Sequence, residues 1–201
     1  YHKHHSLTFK EKLVAYLPRY APKLKLFSPL INLRDQIPGL AKLSELILGF
    51  SAKRSLPRWR GDHFSATGLD GSVEQSKRDV VLLVDTFNTC FEPENAKAAL
   101  SVLQAGGYKV HCPKPIDEAR SLCCGRTFLS SGLVDEARKE AIRMIDALQP
   151  FVERKVPIVG LEPSCLLTLR DEFPSLLPGP ATDALAENTF LFEEFLAKEL
   201  E

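Results

Sequence analysis

Short, continuous apolar runs alternate with amphipathic segments throughout the second half of this sequence. The first run, Val-Val-Leu-Leu-Val at residues 80–84, is rich in β-branched residues, as a strand covered on both faces requires. Further strands are expected at residues 108–112 and 157–161, with helices at residues 93–105, 133–148 and 183–200 and another that opens at Pro163. This alternation predicts an α/β fold: a mainly parallel sheet flanked by helices in a Rossmann-like, three-layer arrangement.

The segment before this α/β region is predicted to be an accessory helical extension. Thr8 and Glu11 have the spacing of a capping box ahead of an apolar series, and a second helix is expected at Leu40–Leu48 with Gly49 as its stop. Residues 65–78 are rich in glycine and serine and poor in apolar side chains, which is typical of a linker. We therefore expect a helical connector at residues 1–64, a linker at 65–78 and an α/β domain at 79–201.

Composition limits the function classes. The chain has 26 lysine and arginine residues against 26 aspartate and glutamate residues, and this balance argues against a nucleic-acid or anionic-membrane binder as the default. No apolar run approaches the ~18 residues needed to span a bilayer, so no transmembrane segment is expected. The five cysteines lack the density of a secreted disulfide scaffold, and we expect them to be reduced in a cytoplasmic setting. The first residue is Tyr1, and no signal peptide is recognisable, so we expect a piece of a longer or processed protein.

The stretch Leu122-Cys123-Cys124-Gly125-Arg126 carries the strongest chemical signal. Neighbouring side chains diverge on a helix and point to opposite faces of a strand, so two adjacent cysteines can converge on one site only from a loop. Gly125 suits such a loop because it tolerates positive φ and a close backbone approach. Thiolates are soft ligands for iron–sulfur clusters, zinc or copper(I). Two buried, inert thiols remain the alternative interpretation of the pair.

The other cysteines follow strands as well. Cys90 comes after the first predicted strand, Cys123 and Cys124 after the second, and Cys165 just after the third. Ligands of open parallel sheets bind beyond the carboxyl ends of the strands, so all four cysteines are expected at the binding edge. Cys165 also falls in the first turn of the helix opened by Pro163, where unpaired N–H groups favour a negatively charged group.

Two further residues have competing interpretations. Glu162 is a candidate metal ligand through a hard oxygen donor, but an ion pair with Arg126 or Arg170 and simple solvation are together the favoured interpretation. Cys112, at the end of the second predicted strand, is expected to pack in the core.

Three signatures together resemble the cysteine-rich CCG domain, over about residues 81–201. They are Phe91-Glu92-Pro93-Glu94-Asn95 at a helix start, Cys123-Cys124-Gly125-Arg126, and Gly160-Leu161-Glu162-Pro163-Ser164-Cys165. The domain occurs in iron–sulfur subunits of glycolate oxidase, anaerobic glycerol-3-phosphate dehydrogenase and heterodisulfide reductase, and in lactate-utilisation iron–sulfur proteins. The sequence is most similar to the C-terminal part of fused, FAD-linked oxidases that resemble D-lactate and D-2-hydroxyglutarate dehydrogenases.

The chain departs from the family pattern at two positions. The family has a cysteine shortly after the first strand and a Cys-x-x-Cys at the end, and these positions hold Thr86 and Glu162 here. Cys123, Cys124 and Cys165 match the pattern directly. The resemblance therefore implies three thiolate ligands to an iron–sulfur cluster or, alternatively, zinc, with Cys90 and Glu162 as additional candidate ligands.

The resemblance implies a function in electron transfer. Substrate would be oxidised at FAD in a domain absent from this chain, and electrons would pass through ferredoxin-like clusters toward the CCG region. The implied partners are the flavin and ferredoxin-like domains and a second CCG repeat, in the cytoplasm or at the inner face of the membrane through the parent complex. Two alternatives stay open: a metal-free repeat that serves as a docking scaffold, and a structural zinc domain. Whether the fragment alone is an enzyme is left open. Apolar residues of the last helix, such as Phe190 and Leu191, are expected to be exposed and to promote self-association.

Overall fold

The computed structural model describes residues 6–66, 78–116 and 120–199. The predicted linker at 65–78 lies almost entirely outside the described residues. The helices before it are α1 (Phe9–Ala15), α2 (Leu17–Tyr20), a 3₁₀ helix (Ala21–Phe27), α3 (Ser28–Gln36) and α4 (Leu40–Leu48). The predicted capping box between Thr8 and Glu11 is present at the start of α1, and Gly49 ends α4 with a left-handed backbone.

The remaining elements alternate as the sequence predicts. They are β1 (Arg78–Leu83), α5 (Thr86–Cys90), α6 (Pro93–Ala105), β2 (Tyr108–His111), α7 (Arg126–Ser130), α8 (Val134–Val152), β3 (Ile158–Gly160), α9 (Pro163–Leu167), a π-helical turn (Thr168–Glu172), α10 (Phe173–Leu176), α11 (Pro180–Glu187), β4 (Thr189–Leu191) and α12 (Phe192–Glu199). The four strands form one parallel sheet in the order β2-β1-β3-β4. The predicted α/β fold with a parallel sheet flanked by helices is confirmed.

Each face of the sheet has its own apolar core. Val81, Leu83 and Ile158 pack on one face with Met144 and Leu148 of α8. On the opposite face, the alternate strand residues Val80, Leu82 and Val159 pack against α6 and against Phe195 of α12. The period of two along each strand therefore sends side chains into both layers, which explains the continuous apolar runs in the sequence.

The prediction of one long helix at residues 183–200 is wrong. Helix α11 ends at Glu187, and the next residues form β4, which pairs in parallel with β3 through Ile158–Thr189 and Gly160–Leu191. A strand of three residues between two apolar helices leaves no period of two long enough to be distinguished from a helix. Phe190 and Leu191 are therefore half-buried sheet residues, and the expectation that they are exposed on a helix is wrong as well.

The N-terminal helices pack against the α/β body. The ring of Tyr16 meets Phe128 of α7 edge-on at 5.2 Å, and Thr127 donates a hydrogen bond of 2.8 Å to the carbonyl of Ala15. Trp59 meets Phe91 edge-on at 5.0 Å. In the described ranges, no helix has the length and apolar character needed to cross a bilayer.

Candidate functional site

The strand order creates a switch point between β1 and β3. These strands are neighbours, but the chain leaves β1 toward β2 on one side and leaves β3 toward β4 on the other. Loops that diverge in this way open a crevice beyond the carboxyl ends of the two strands, where open α/β sheets bind ligands. Thr86 follows β1 at this edge, and Cys165 follows β3.

Three thiols meet at this crevice. The side chain of Cys124 interacts with those of both Cys123 and Cys165. The three cysteines line one small cavity of 20 Å³, together with Leu83, Val84, Asp85, Thr86, Leu122, Met144 and Leu166. The loop between β2 and α7 and the first turn of α9 thus bring together cysteines that are about 40 residues apart in the sequence, as the strand positions predict.

The environment of Cys123 and Cys124 favours the protonated form of these two thiols. The pKa of Cys123 is raised well above the usual range, first by its hydrogen bond to Cys124 and then by burial. The hydrogen bond from Cys123 lowers the pKa of Cys124, but the hydrogen bond to Cys165 and burial outweigh it, so the pKa of Cys124 is also raised. A metal centre here would have to displace these protons, because only the thiolate is a strong ligand.

The backbone after the cysteine pair makes a sharp turn into α7. Gly125 has a φ of +80°, and a Cβ atom at this position would lie 3.2 Å from the backbone of Ala137 in α8. The Gly125 N–H donates a hydrogen bond of 3.3 Å to Cys123 Sγ. Positive φ and a close helix–loop contact both require glycine here, which confirms the role that the sequence predicts for Gly125.

A buried carboxylate anchors the start of the cysteine loop. The side chain of Glu140 on α8 is 1% exposed and forms ion pairs with Arg19 at 3.0 Å, Arg120 at 2.6 Å and Arg143 at 2.9 Å. Arg143 also donates a hydrogen bond of 2.7 Å to the carbonyl of Arg120. Glu140 therefore holds Arg120, which lies three residues before Cys123. Through Arg19, it also links α2 to the start of the cysteine loop. Sequence reasoning missed this network, because Arg19 lies 121 residues from Glu140.

The two remaining cysteines, Cys90 and Cys112, lie apart from the three thiols. Cys90 is one helical turn beyond Thr86 on α5, and it packs with Ala21 and Phe91 rather than beside the three thiols. Burial, with a contribution from Asp85, raises the pKa of Cys90 to about 12. Cys112 packs with the apolar cluster on the α6 face of the sheet. Cys90 and Cys112 both line a separate cavity of 230 Å³ at the same sheet edge.

Glu162 is occupied as a helix cap. Its Oε1 accepts hydrogen bonds from the Ser164 N–H at 3.3 Å and from the Ser164 hydroxyl at 2.6 Å. These bonds hold the carboxylate at the start of α9, and the residue is not among those that line the thiol cavity. Among the described residues, the alternative ion pair of Glu162 with Arg126 or Arg170 is not formed, since Arg170 pairs with Glu194 at 2.8 Å and Arg126 pairs with Glu172.

The ligand type at this site suits a soft metal centre, but the cavity is small. Three cysteine side chains are the ligand type of iron–sulfur clusters, and Asp85 and Thr86 add oxygen atoms to the cavity lining. In the described residues, however, no three histidine, cysteine, aspartate or glutamate side chains surround a point that could hold one ion. The cavity has room for about one water molecule, so a cluster would require the three sulfurs to separate.

Curated dehydrogenase proteins are among the relatives that match the chain. One is a component of anaerobic glycerol-3-phosphate dehydrogenase from Escherichia coli K12, which is 27% identical over 157 residues that cover 75% of this chain and 38% of the relative. D-2-hydroxyglutarate dehydrogenase from the same organism is 24% identical over 213 residues, which cover 100% of this chain and 20% of the relative. The chain thus spans well under half the length of each relative. No family model matches, and neither does a solved structure. The chain is a distant relative of dehydrogenase proteins.

Proposed function

We propose that the α/β body is an electron-transfer domain of a FAD-linked 2-hydroxy-acid oxidoreductase, with Cys123, Cys124 and Cys165 as the ligands of an iron–sulfur centre. The observation that carries the proposal is the convergence of these three thiols at the switch point of the parallel sheet. The similarity of the whole chain to a D-2-hydroxyglutarate dehydrogenase supports the substrate class.

The cysteines would hold the centre from two elements that the fold keeps rigid. Cys123 and Cys124 precede α7, which packs on α8, and Cys165 is fixed by the capped start of α9. The bound group would supply one-electron transfer. The chain's own contribution is to exclude water with Leu122, Met144 and Leu166 and to direct the N–H of Gly125 toward a sulfur, and both effects tune a redox potential.

A metal-free docking repeat is the second candidate function. The small cavity supports it, as do Thr86 and the capping role of Glu162 at the two positions where the CCG pattern has cysteine. In that case, the fold would serve to dock neighbouring domains of the parent protein, and the thiols would stay protonated.

Metal and sulfide analysis of anaerobically purified protein tests the proposal. We expect brown protein that contains iron and acid-labile sulfide and absorbs at about 400 nm. Cys123→Ser should remove most of this absorbance, whereas the matched control Cys112→Ser should keep it, since Cys112 packs elsewhere. Colourless protein without iron, before and after reconstitution with iron and sulfide, would contradict the proposal and favour the docking repeat. Colourless protein with one tightly bound zinc would identify a structural zinc domain.

A further inference from the structure

Although the formal charge of the whole chain is zero, its N-terminal part is strongly basic and the rest is acidic. Residues 1–60 contain twelve lysine and arginine residues against three acidic residues, a formal net charge of +9, and residues 61–201 carry −9. Exposed basic side chains between residues 9 and 59 include seven that form no ion pair in the described parts of the chain: Lys12, Lys23, Lys25, Lys42, Lys53, Arg54 and Arg58. The excess positive charge of this part of the chain attracts an anionic surface.

The same helices expose much of the apolar surface of the protein. Of the fifteen large apolar side chains that are exposed among the described residues, nine lie within residues 9–47. Leu26 is 85% exposed and Leu30 65% exposed, and both lie within a few residues of Lys23 and Lys25. Basic and apolar side chains therefore alternate along one short stretch from the 3₁₀ helix into α3, a pattern typical of segments that lie in a membrane interface.

An apolar cavity opens within this surface. It has a volume of 660 Å³ and is enclosed by α1 to α4, Trp59 and Phe91. Three residues at its rim, Leu30, Leu43 and Ile47, are about half or more exposed. Among the described residues, the only charged side chain in its wall is Arg34. Arg34 is already bound to Asp35, Ser44 and the carbonyl of Ser51, so the cavity suits a hydrocarbon chain rather than an ion.

We propose that the N-terminal helices (residues 9–59) form a docking surface for an anionic lipid bilayer. The lysines would contact lipid headgroups, the exposed leucines would enter the interface, and the cavity would accept an acyl chain. Interfaces between proteins are depleted in lysine, whereas lysine combined with exposed leucine and phenylalanine is characteristic of membrane-surface binding. A nucleic-acid surface would match the charge but would leave the apolar residues unused.

Vesicle flotation of the full chain tests the charge component. We expect binding to phosphatidylcholine vesicles that contain phosphatidylglycerol, no binding to pure phosphatidylcholine, and loss of binding at high salt. Since each lysine near an anionic surface contributes about 1 kcal/mol, the variant Lys23→Gln/Lys25→Gln should bind about 25-fold more weakly. The matched control Lys109→Gln/Lys114→Gln makes the same charge change on the exposed surface of the α/β body and should change binding less than about twofold.

A second pair of variants tests the apolar component. Leu26→Asn should weaken vesicle binding, whereas Ile116→Asn, at another exposed position of 72%, should not. Trp59 is the single tryptophan of the chain and lines the cavity, so vesicles with brominated acyl chains should quench its fluorescence. Equal binding of all variants, binding to neutral vesicles, an unquenched Trp59 in bound protein, or tighter binding to duplex nucleic acid than to vesicles would each overturn the proposal.

Discussion

Glu140 shows how one residue supports the candidate site without lining it. Three arginines surround its carboxylate, and the side chain is almost completely buried. Breaking a buried ion pair from one side leaves unpaired charge in the interior, and this is the main cost of such a substitution. The start of the cysteine loop then loses its anchor, because Glu140 holds the side chains of both Arg120 and Arg143 in place.

We expect Glu140→Leu to lower the free energy of unfolding by roughly 3–5 kcal/mol. Glu136, one turn earlier on α8, also pairs with Arg19, but its side chain is 22% exposed, and Glu136→Gln should cost less than about 1 kcal/mol. Urea unfolding of the two variants measures the difference. Equal losses would show that the arginine cluster is solvated and does not depend on Glu140.

At the scale of elements, the entry into α7 depends on backbone conformation. Gly125 and Gly39 both have φ near +80 to +90° at helix starts, but a Cβ atom meets the backbone of Ala137 at Gly125 and open space at Gly39. Alanine substitutions at the two positions therefore distinguish the cost of backbone strain from the cost of steric contact.

Gly39→Ala should cost about 1–2 kcal/mol of stability from the left-handed backbone alone. Gly125→Ala should cost that amount and roughly 1–3 kcal/mol more, because the loop and α8 must move apart. Thermal unfolding gives the stabilities, and the rate of alkylation of Cys123 and Cys124 reports on the loop. Equal stability losses with unchanged alkylation would show that α8 accommodates the extra methyl group.

Elements with a clear period could be predicted from sequence, and short ones could not. Strand β1 could be identified from the apolar run at residues 80–84. Helix α8 could be identified from its apolar stripe, which includes Ala137, Ala141 and Met144. Strand β4 has only three residues, so its pairing with β3 decides its structure, and no local pattern indicates it. In the N-terminal part, α2 and the 3₁₀ helix each carry a proline in the first turn, and a proline in the sequence is equally consistent with the end of a preceding helix.

The same limit applies to the candidate site. Cys123, Cys124 and Cys165 could be expected at one sheet edge, because each follows a strand. Cys90 follows a strand as well, but the short helix α5 carries it one turn away from the crevice. Contacts such as Glu140 with Arg19 depend on how the extension packs on the body, which no spacing in the sequence encodes.

At the scale of the whole molecule, this packing predicts that the extension and the α/β body unfold together. Ala15, Ala21 and Cys90 are fully buried between them, and Arg19 lies over the ring of Phe128 at 4.6 Å while it pairs with Glu140. The division at residues 65–78 would then separate chain segments but not folding units.

Trp59 makes this prediction measurable, because the single tryptophan reports on the extension and far-UV circular dichroism reports on all helices. We expect the two urea transitions to coincide in the unsubstituted chain. Arg19→Met removes the link to Glu136 and Glu140, so the Trp59 transition should shift to lower urea than the dichroism transition. Arg58→Met is the matched control, since Arg58 is exposed in the extension without an ion pair in the described residues, and its two transitions should stay together. Separate transitions in the unsubstituted chain would show that the extension folds independently of the sheet.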